Sequence, residues 1–415
     1  MRRFISTLAK KTIPQERTLQ ILAASTLVNT IGNGLFMTVD VIYFTTIVGL
    51  SPAQVALALS IAGGLALTLS VPSGHIADRF GPRNIAAISI GAEGVAMAGL
   101  VFVHSYLPFL LIHIIMGMLG VVAQTTRMAT IAKLGGESTR VYIRAYQRAV
   151  TNFGISIGTL FAGVGLALNN INFYKGLLLA DAVTFVIAGF LYMRLPLVPP
   201  TVERGEPFSF AAMKDKVFLG ATLSNAFMSM HFVLQSVAIP LWVVRETHAP
   251  RWWVSVIMLM NTIAVMLLQV AASKGSETLF GGAKNYRLAS YFIALACLLY
   301  AYAHGANAIV AALLLSLGMA SHIVGELIGS AGSWAIGFGL ADENHQGQYQ
   351  GVWGLSWGLS GTVGPAIVTA LVIGMGISGW WILAAVFALN GSVMHKLVTK
   401  SWTVTPQSKS ASNLR

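Results

Sequence analysis

Long apolar runs, each about as long as a membrane-crossing helix, follow one another along this chain and are separated by polar segments. A helix needs about 20 predominantly apolar residues to cross the hydrocarbon core of a bilayer, and we count twelve such runs. The alternating short strands of a membrane barrel are not seen, and helices satisfy their own backbone hydrogen bonds, as lipid requires. The predicted spans are Leu19–Val48, Ala53–Ser73, Asn84–His104, Leu107–Arg127, Ala145–Leu168, Tyr174–Leu195, Val217–Val244, Trp252–Ser273, Arg287–His304, Ala306–Gly329, Tyr349–Ile373 and Gly379–Lys396.

The composition agrees with a chain whose main solvent is lipid. Of the 415 residues, 55% are hydrophobic and 10% are charged, whereas a soluble domain carries about 25% charged residues. The basic segment before the first span could begin a signal peptide, but the apolar run Leu19–Val48 is too long for a signal-peptide core. We therefore expect a retained tail followed by the first helix.

Lysines and arginines are concentrated on one side of the predicted membrane. They occupy both tails and most connections after even-numbered spans, and only Lys175, Arg245 and Arg251 fall on the opposite side. Positive residues favour the cytoplasmic side, so we expect a multi-pass cell-membrane protein with both termini in the cytoplasm. The net charge of +12 is spread over many short loops, and so it does not predict a nucleic-acid surface.

The chain divides near its middle, where a long polar connector rich in proline and charge separates two sets of six spans. A connector of this kind indicates a linker between two halves. We therefore expect an all-α polytopic membrane protein with twelve transmembrane helices in two six-helix bundles. The predicted parts are a cytoplasmic tail (1–18), a first bundle (19–195), a cytoplasmic linker (196–216), a second bundle (217–397) and a cytoplasmic tail (398–415).

Faint internal similarity supports a duplication. Two dipeptides of the fifth span recur in the eleventh at one common offset, and one that follows the second span recurs after the eighth. Matches at corresponding positions of two halves are typical of repeat-built transporters. The pairs are Tyr146-Gln147 with Tyr349-Gln350, Gly158-Thr159 with Gly361-Thr362, and Phe80-Gly81 with Phe280-Gly281.

The segment after the second span, Gly74-His-Ile-Ala-Asp78-Arg79-Phe-Gly81-Pro-Arg83, resembles the loop motif G-x-x-x-D-R-x-G-R-R/K of the major facilitator superfamily. Glycines permit a tight turn and close helix approach, and a carboxylate can accept hydrogen bonds from a helix N terminus. The resemblance implies that this loop holds the cytoplasmic side closed. Pro82 stands where the family has a basic residue, so Arg83 is left to serve alone.

Two partial resemblances point to drug/proton antiporters within that superfamily. His113-Ile-Ile-Met-Gly117 stands where those antiporters have R-x-x-Q-G, and the imidazole could shuttle protons or hydrogen-bond a neighbouring helix. Gly154, Gly158 and Gly163 resemble the motif G-x-x-x-G-P-x-x-G-G, with Thr159 replacing the proline. Small residues four apart also let helices touch, which is the structural explanation for the same glycines.

Four acids lie within the predicted spans, namely Asp40, Glu93, Asp181 and Glu326. A charge at the bilayer centre costs roughly 2.5–3.5 kcal/mol on insertion scales, so such residues usually face a cavity and serve a function. A desolvated carboxyl group can bind and release a proton near neutral pH, as proton coupling requires.

The resemblance ranks the ionisable candidates, because the first, fourth, seventh and tenth helices commonly line the cavity in this family. It favours Asp40 and Glu326, with His113 and His231 as secondary candidates for proton coupling or substrate binding. Glu93 and Asp181 belong to helices at the edge, where pairing with an arginine is the structural alternative. Apolar lining candidates are Phe36, Tyr43, Met228, Phe232, Trp353 and Trp357.

These patterns predict a secondary active transporter that works by alternating access and exports lipophilic or cationic small molecules against inward proton flow. The alternatives are a carrier for one metabolite, sugar or peptide, by symport or uniport, or a lipid flippase. Metalloprotease, dinucleotide, Walker and nucleophile-elbow motifs are not found, so we expect no enzyme activity and no cofactor. With Cys297 as the single cysteine, we expect no disulfide and no metal cluster. The expected partners are a small-molecule substrate, protons and lipid, and the expected functional unit is a monomer.

Overall fold

The computed structural model describes residues 16–136, 139–168, 170–202 and 210–404. Most of the predicted tails (residues 1–15 and 405–415) and the middle of the predicted linker (203–209) lie outside the described residues.

Twelve long helical segments account for most of the described chain, and we number them in order. They are α1 (Arg17–Ile47), α2 (Pro52–Thr68 continued by Ser70–Phe80), α3 (Pro82–Phe102), α4 (Tyr106–Leu134), α5 (Arg140–Leu168), α6 (Ile171–Met193), α7 (Lys216–Glu246), α8 (Trp253–Ala272), α9 (Leu279–Tyr302), α10 (Ala308–Gly339), α11 (Glu343–Val372) and α12 (Ile377–Val404).

In the described part of the chain, nine of these segments are long and apolar enough to cross a membrane, and α2 makes a tenth if its two parts form one span. The remaining two, α5 and α9, have 29 and 24 residues and lie where the fifth and ninth spans were predicted. The described residues form no strand, only an isolated bridge between Thr247 and His304. The all-α polytopic prediction is therefore confirmed.

Local sequence explains several helix starts. Pro52 opens α2 behind a capping box, in which Ser51 accepts from the Gln54 amide and the Gln54 side chain accepts from the Ser51 amide. Asp215 caps α7 by accepting two backbone N–H groups at 3.0 Å. Asn307 caps α10 by accepting one backbone N–H, that of Val310, at 3.0 Å.

The second span is bent by 46° between Thr68 and Ser70. Pro72 explains the break, because a proline has no N–H to donate to the carbonyl four residues earlier and its ring clashes there. The sequence predicted a single span ending at Ser73, whereas the second part continues to Phe80. Helices α4 and α10 also run beyond their predicted ends, to Leu134 and Gly339, since hydrogen bonding continues after the apolar run stops.

The chain divides into two compact units. Unit 1 comprises 1–134, 146–209 and 344–351, and unit 2 comprises 135–145, 210–343 and 352–415. Within unit 1, α6 packs on α1 and α3, and α4 packs on α2 and α3. Within unit 2, α12 packs on α7 and α9, and α10 packs on α8 and α9. The same four pairs recur with a shift of six helices, as a duplication would give.

Candidate functional site

In unit 1, α1 and α4 bring Asp40 and His113 together. Both residues are buried, and Nε2 of His113 lies 3.5 Å from Oδ1 of Asp40. Aromatic rings surround the imidazole, with centroid distances of 4.1 Å to Phe109, 6.1 Å to Phe44 and 6.3 Å to Phe36. An acid–imidazole pair therefore lies beside a cluster of aromatic rings.

The hydrogen-bonding capacity of the two groups leaves a place for one proton between them. Nδ1 of His113 lies 3.0 Å from the carbonyl oxygen of Phe109, and a carbonyl only accepts, so Nδ1 carries a hydrogen. In a neutral ring Nε2 is then an acceptor, and it faces a carboxylate oxygen that is also an acceptor. The contact becomes favourable when one proton sits either on Nε2 or on Asp40.

In unit 2, α7 and α10 bring His231 and His322 together. Nδ1 of His231 and Nε2 of His322 are 3.2 Å apart, so one ring donates a hydrogen bond to the other. Glu326 lies one helical turn after His322, and its Oε2 accepts a hydrogen bond of 2.6 Å from Nδ2 of Asn261 on α8. All four side chains are buried. The candidates Glu326 and His231 thus belong to one polar cluster within unit 2.

The two clusters occupy comparable places in the two units. Asp40 stands just before a π-helical turn, Tyr43–Ile47, and His231 stands at the same spacing before a second π-helical turn, Leu234–Ala238. The partner of each comes from the fourth helix of its set of six. Because π turns in α-helices occur frequently at functional sites, this repetition supports a functional role for both clusters.

The remaining two membrane acids lie in helix contacts of unit 1. Asp181 is completely buried; a Cβ added at Gly32 of α1 would collide with its carboxylate, and Thr184 donates to its backbone carbonyl at 2.7 Å. Glu93 lies against α4 and within electrostatic reach of Arg127. Nη2 of Arg127 also donates to Asn29 at 2.9 Å. These contacts favour a packing role for Asp181 and an arginine-paired role for Glu93.

The Asp78 carboxylate is bound by a helix N terminus within unit 1. Asp78 is completely buried, and its two oxygens accept from the backbone N–H groups of Gly347 at 2.8 Å and Gln348 at 3.0 Å, at the start of α11. A Cβ on Gly74 would collide with the Gly347 backbone, which explains the glycine of the motif. The segment 344–351 is grouped with unit 1 although the sequence assigns it to the second bundle.

The other residues of the motif shape the turn and its contacts with the preceding helices. Gly81 has φ +85, which favours glycine, and lies between α2 and α3. Arg79 lies over the ring of Phe80 at 5.9 Å. Arg83 donates to the carbonyl oxygen of Met193 and, at 2.8 Å, to Asn84. The positive charge of Arg83 therefore neutralises the carbonyl end of α6.

Two of the three antiporter-like glycines make helix contacts. A Cβ added at Gly158 would meet the carbonyl of Ile31 and lie 2.9 Å from Cα of Gly34 on α1. Gly154 faces Thr30 of the same helix. Gly163 differs, because a Cβ there would meet no atom of the described residues within 4 Å. The helix-packing explanation therefore applies to Gly154 and Gly158 and not to Gly163.

The site residues predicted from the sequence do not include His322, although it is near Glu326 on the same helix, and they do not include Asn261 as the partner of Glu326. A signal existed for the former, since His322 and Glu326 are four residues apart and so share one helix face. The pairings between α1 and α4, and between α8 and α10, come from tertiary packing and have no local signal. The single cysteine led to the expectation of no metal cluster, yet His231, His322 and Glu326 offer ligand atoms that lie within 4.8 Å of one another.

Solved structures of membrane transporters share this fold along almost the whole chain. The bacterial homologue of the iron transporter ferroportin superposes with a TM-score of 0.70 at 16% identity, covering 93% of this chain and 99% of that one. FucP, the E. coli fucose:proton symporter, gives 0.69 at 14% identity, covering 92% and 97%. The human organic anion transporter MFSD10 gives 0.67 at 14% identity, covering 92% and 100%. The chain therefore shares its fold with these three proteins.

The family follows from the sequence match. Residues 22–365 match the family model of the Major Facilitator Superfamily, and the chain belongs to this superfamily of membrane transporters. A curated relative, the uncharacterized MFS-type transporter YqjV of Bacillus subtilis (strain 168), is 23% identical over 117 residues, which cover 28% of each chain. The match thus spans less than a third of that relative.

Proposed function

We propose that this protein is a proton-coupled exporter of lipophilic or cationic small molecules that works by alternating access. The observation that carries the proposal is the Asp40–His113 pair, a buried acid facing an imidazole at 3.5 Å. Alternating access needs a group that binds the coupling ion in one state and releases it in the other. A pair that is satisfied by one added proton has this property.

The aromatic surroundings of the pair support a role in coupling, because they make the energy of the contact sensitive to the presence of the proton. Phe36, Phe44 and Phe109 contribute rings within 6.3 Å of the imidazole, and the two polar groups are otherwise buried. Loss of the proton would leave two acceptors in contact in an apolar site, which is costly. Proton binding therefore has an energetic effect on the α1–α4 contact, and this effect is available for coupling.

The cargo class is supported by the cluster of unit 2. Glu326 offers a buried carboxylate with one oxygen bonded to Asn261, and a buried carboxylate attracts cations. On the same unit, the rings of Phe232 and Trp357 lie 4.8 Å apart, next to His231. Aromatic faces and a carboxylate together suit an organic cation with an apolar body.

The fold alone does not select the cargo, since the transporters of similar fold are named for an organic anion, iron and fucose. A lysine- and arginine-rich inner face supports cytoplasmic termini and a cell-membrane location. In this proposal the protein works as a carrier without enzyme activity or a cofactor. Its partners are the cargo, protons and lipid, and a single chain suffices.

Counterflow in proteoliposomes tests the cargo class. Vesicles are preloaded with an unlabelled compound, and uptake of a labelled trace is followed for a panel of lipophilic cations, sugars, peptides and organic anions. The proposal expects exchange with several cations of different shape. Exchange confined to one sugar, peptide or anion would establish a specific carrier, and movement of labelled lipid in place of these compounds would establish a flippase.

A further inference from the structure

The cluster of His231, His322 and Glu326 has the composition of a transition-metal site. Two imidazoles and one carboxylate form the donor set that Zn²⁺ and neighbouring divalent ions prefer, and three protein ligands leave a position open for an exchangeable ligand. One ligand atom from each residue lies within 4.8 Å of the others, and all three residues are buried. The cluster therefore differs from a group of exposed carboxylates, because it is buried and contains two imidazoles.

The distance between the two histidines matches a shared ion. Two nitrogens bound at roughly 2.0–2.1 Å to one tetrahedral ion are separated by about 3.3 Å. Nδ1 of His231 and Nε2 of His322 are 3.2 Å apart. The separation of the nitrogens therefore already suits a shared ion, although the rings would have to turn so that both lone pairs point at an ion beside the line that joins them. The carboxylate of Glu326 would move inward by a rotamer adjustment.

The surroundings of the cluster support a ligand in two independent ways. Asn261 holds Oε2 of Glu326 at 2.6 Å, as the hydrogen-bonding partners of metal-binding carboxylates do. Nδ1 of His322 and the hydroxyl of Tyr300 are completely buried and have no hydrogen-bond partner among the described residues. The ring of Tyr300 lies 6.4 Å from that of His322. Buried polar atoms without partners are costly, so a water molecule carried in with the ion would stabilise this region, whereas an ion bound to Nε2 of His322 does not itself contact Nδ1.

We propose that His231, His322 and Glu326 bind one divalent transition-metal ion of the Zn²⁺ class, with Asn261 positioning the carboxylate. The inference concerns equilibrium binding of the ion to the purified protein. The ion and a cationic cargo would compete for the Glu326 carboxylate, but ion binding does not depend on proton-driven export, because it is measured on purified protein without a gradient.

The test is a titration of tag-free, full-length protein in detergent with Co²⁺, whose visible absorption reports its ligands, followed by Zn²⁺ calorimetry. The proposal expects one ion per chain. His322→Gln and Glu326→Gln each weaken binding at least tenfold, and Asn261→Ala weakens it about tenfold, as loss of a positioning partner does. His304→Gln serves as the matched control, because His304 lies 3.8 Å from Glu246 in a half-exposed pair for which the described residues offer no third metal-ligating side chain.

Thermal unfolding of the same samples distinguishes a variant that has lost ion binding from one that has not folded. Zn²⁺ raises the unfolding temperature of a protein that binds it in the folded state, so the wild type and His304→Gln should shift and the ligand variants should not. His231→Gln replaces any ligand variant that does not fold. Absence of Co²⁺ absorption in the wild type, or unchanged affinity in the folded ligand variants, would overturn the proposal.

Discussion

His113 donates through Nδ1 to its own helix and presents Nε2 to Oδ1 of Asp40 at 3.5 Å. The intrahelical hydrogen bond fixes the tautomer of the neutral ring, so Nε2, the nitrogen next to Asp40, is the one that can take a proton. The exchange of a proton between the two groups then requires no ring rotation. This arrangement gives the first prediction.

Replacing His113 by glutamine should uncouple proton binding from cargo binding. A glutamine amide can donate permanently to Asp40 but does not take up a proton. Cargo added to wild-type protein in weak buffer should release protons, detected by a pH-sensitive dye, and His113→Gln should release less than a tenth as many. His104→Gln, at an exposed histidine, is the control. Equal proton release by His113→Gln would remove His113 from the coupling site.

Glu326 should set the affinity for cationic cargo. Glu326→Gln keeps the shape and the hydrogen bond from Asn261 but removes the charge, so binding of a lipophilic cation should weaken at least tenfold. Binding of a neutral compound of similar size should change little. Equilibrium binding to purified protein measures both, with Glu246→Gln as a charge-matched control outside the cluster. Unchanged cation affinity would show that the cargo does not meet this carboxylate.

Asp78 should hold the first turn of α11. A hydrogen bond to a charged group contributes about 1.5–3 kcal/mol, and Asp78 accepts two from the amides of Gly347 and Gln348. In Asp78→Asn the segment 344–351 should open more often, and its amide hydrogen exchange should accelerate roughly tenfold or more. Mass spectrometry of the corresponding peptide measures this. Glu277→Gln, at an exposed acid, should leave the exchange unaltered, whereas an unaltered rate in Asp78→Asn would contradict the role.

Gly158 should be indispensable for the contact between α1 and α5. A methyl group at Gly158 would collide with Ile31 and Gly34, and overpacking a closely packed contact typically costs about 1–3 kcal/mol. Gly158→Ala should therefore lower the thermal unfolding midpoint in detergent. Gly163→Ala is the matched control, since no described residue lies within 4 Å of an added Cβ there. An equal loss in both variants would show that helix approach is not the cause.

The positions of the helices could be predicted from the sequence, because hydropathy and helix length are local properties. The Gly74–Arg83 motif likewise predicted that the Asp78 carboxylate accepts hydrogen bonds from the N terminus of a helix. What could not be predicted is which helices meet. Asp40 and His113 are joined by packing between α1 and α4, and Asn261 reaches Glu326 from α8.

Local irregularities also escaped prediction. Neither the π turns after Asp40 and His231 nor the bend at Pro72 can be read from hydropathy, which averages over a whole span. At Gly163 the motif predicted a helix contact, but no described residue lies within 4 Å of an added Cβ there. The contacts of a single side chain depend on which helix packs against it. Local sequence patterns do not reveal that packing.

Transport under an imposed pH gradient tests most directly whether Asp40 couples protons to export. Wild-type protein in liposomes should concentrate a lipophilic cation when protons can flow the opposite way, and a protonophore should abolish this. Asp40→Asn should lose concentrative transport while retaining counterflow exchange, because its carboxamide no longer binds the coupling proton. Wild-type accumulation that ignores the gradient, or accumulation by Asp40→Asn equal to that of the wild type, would contradict the account.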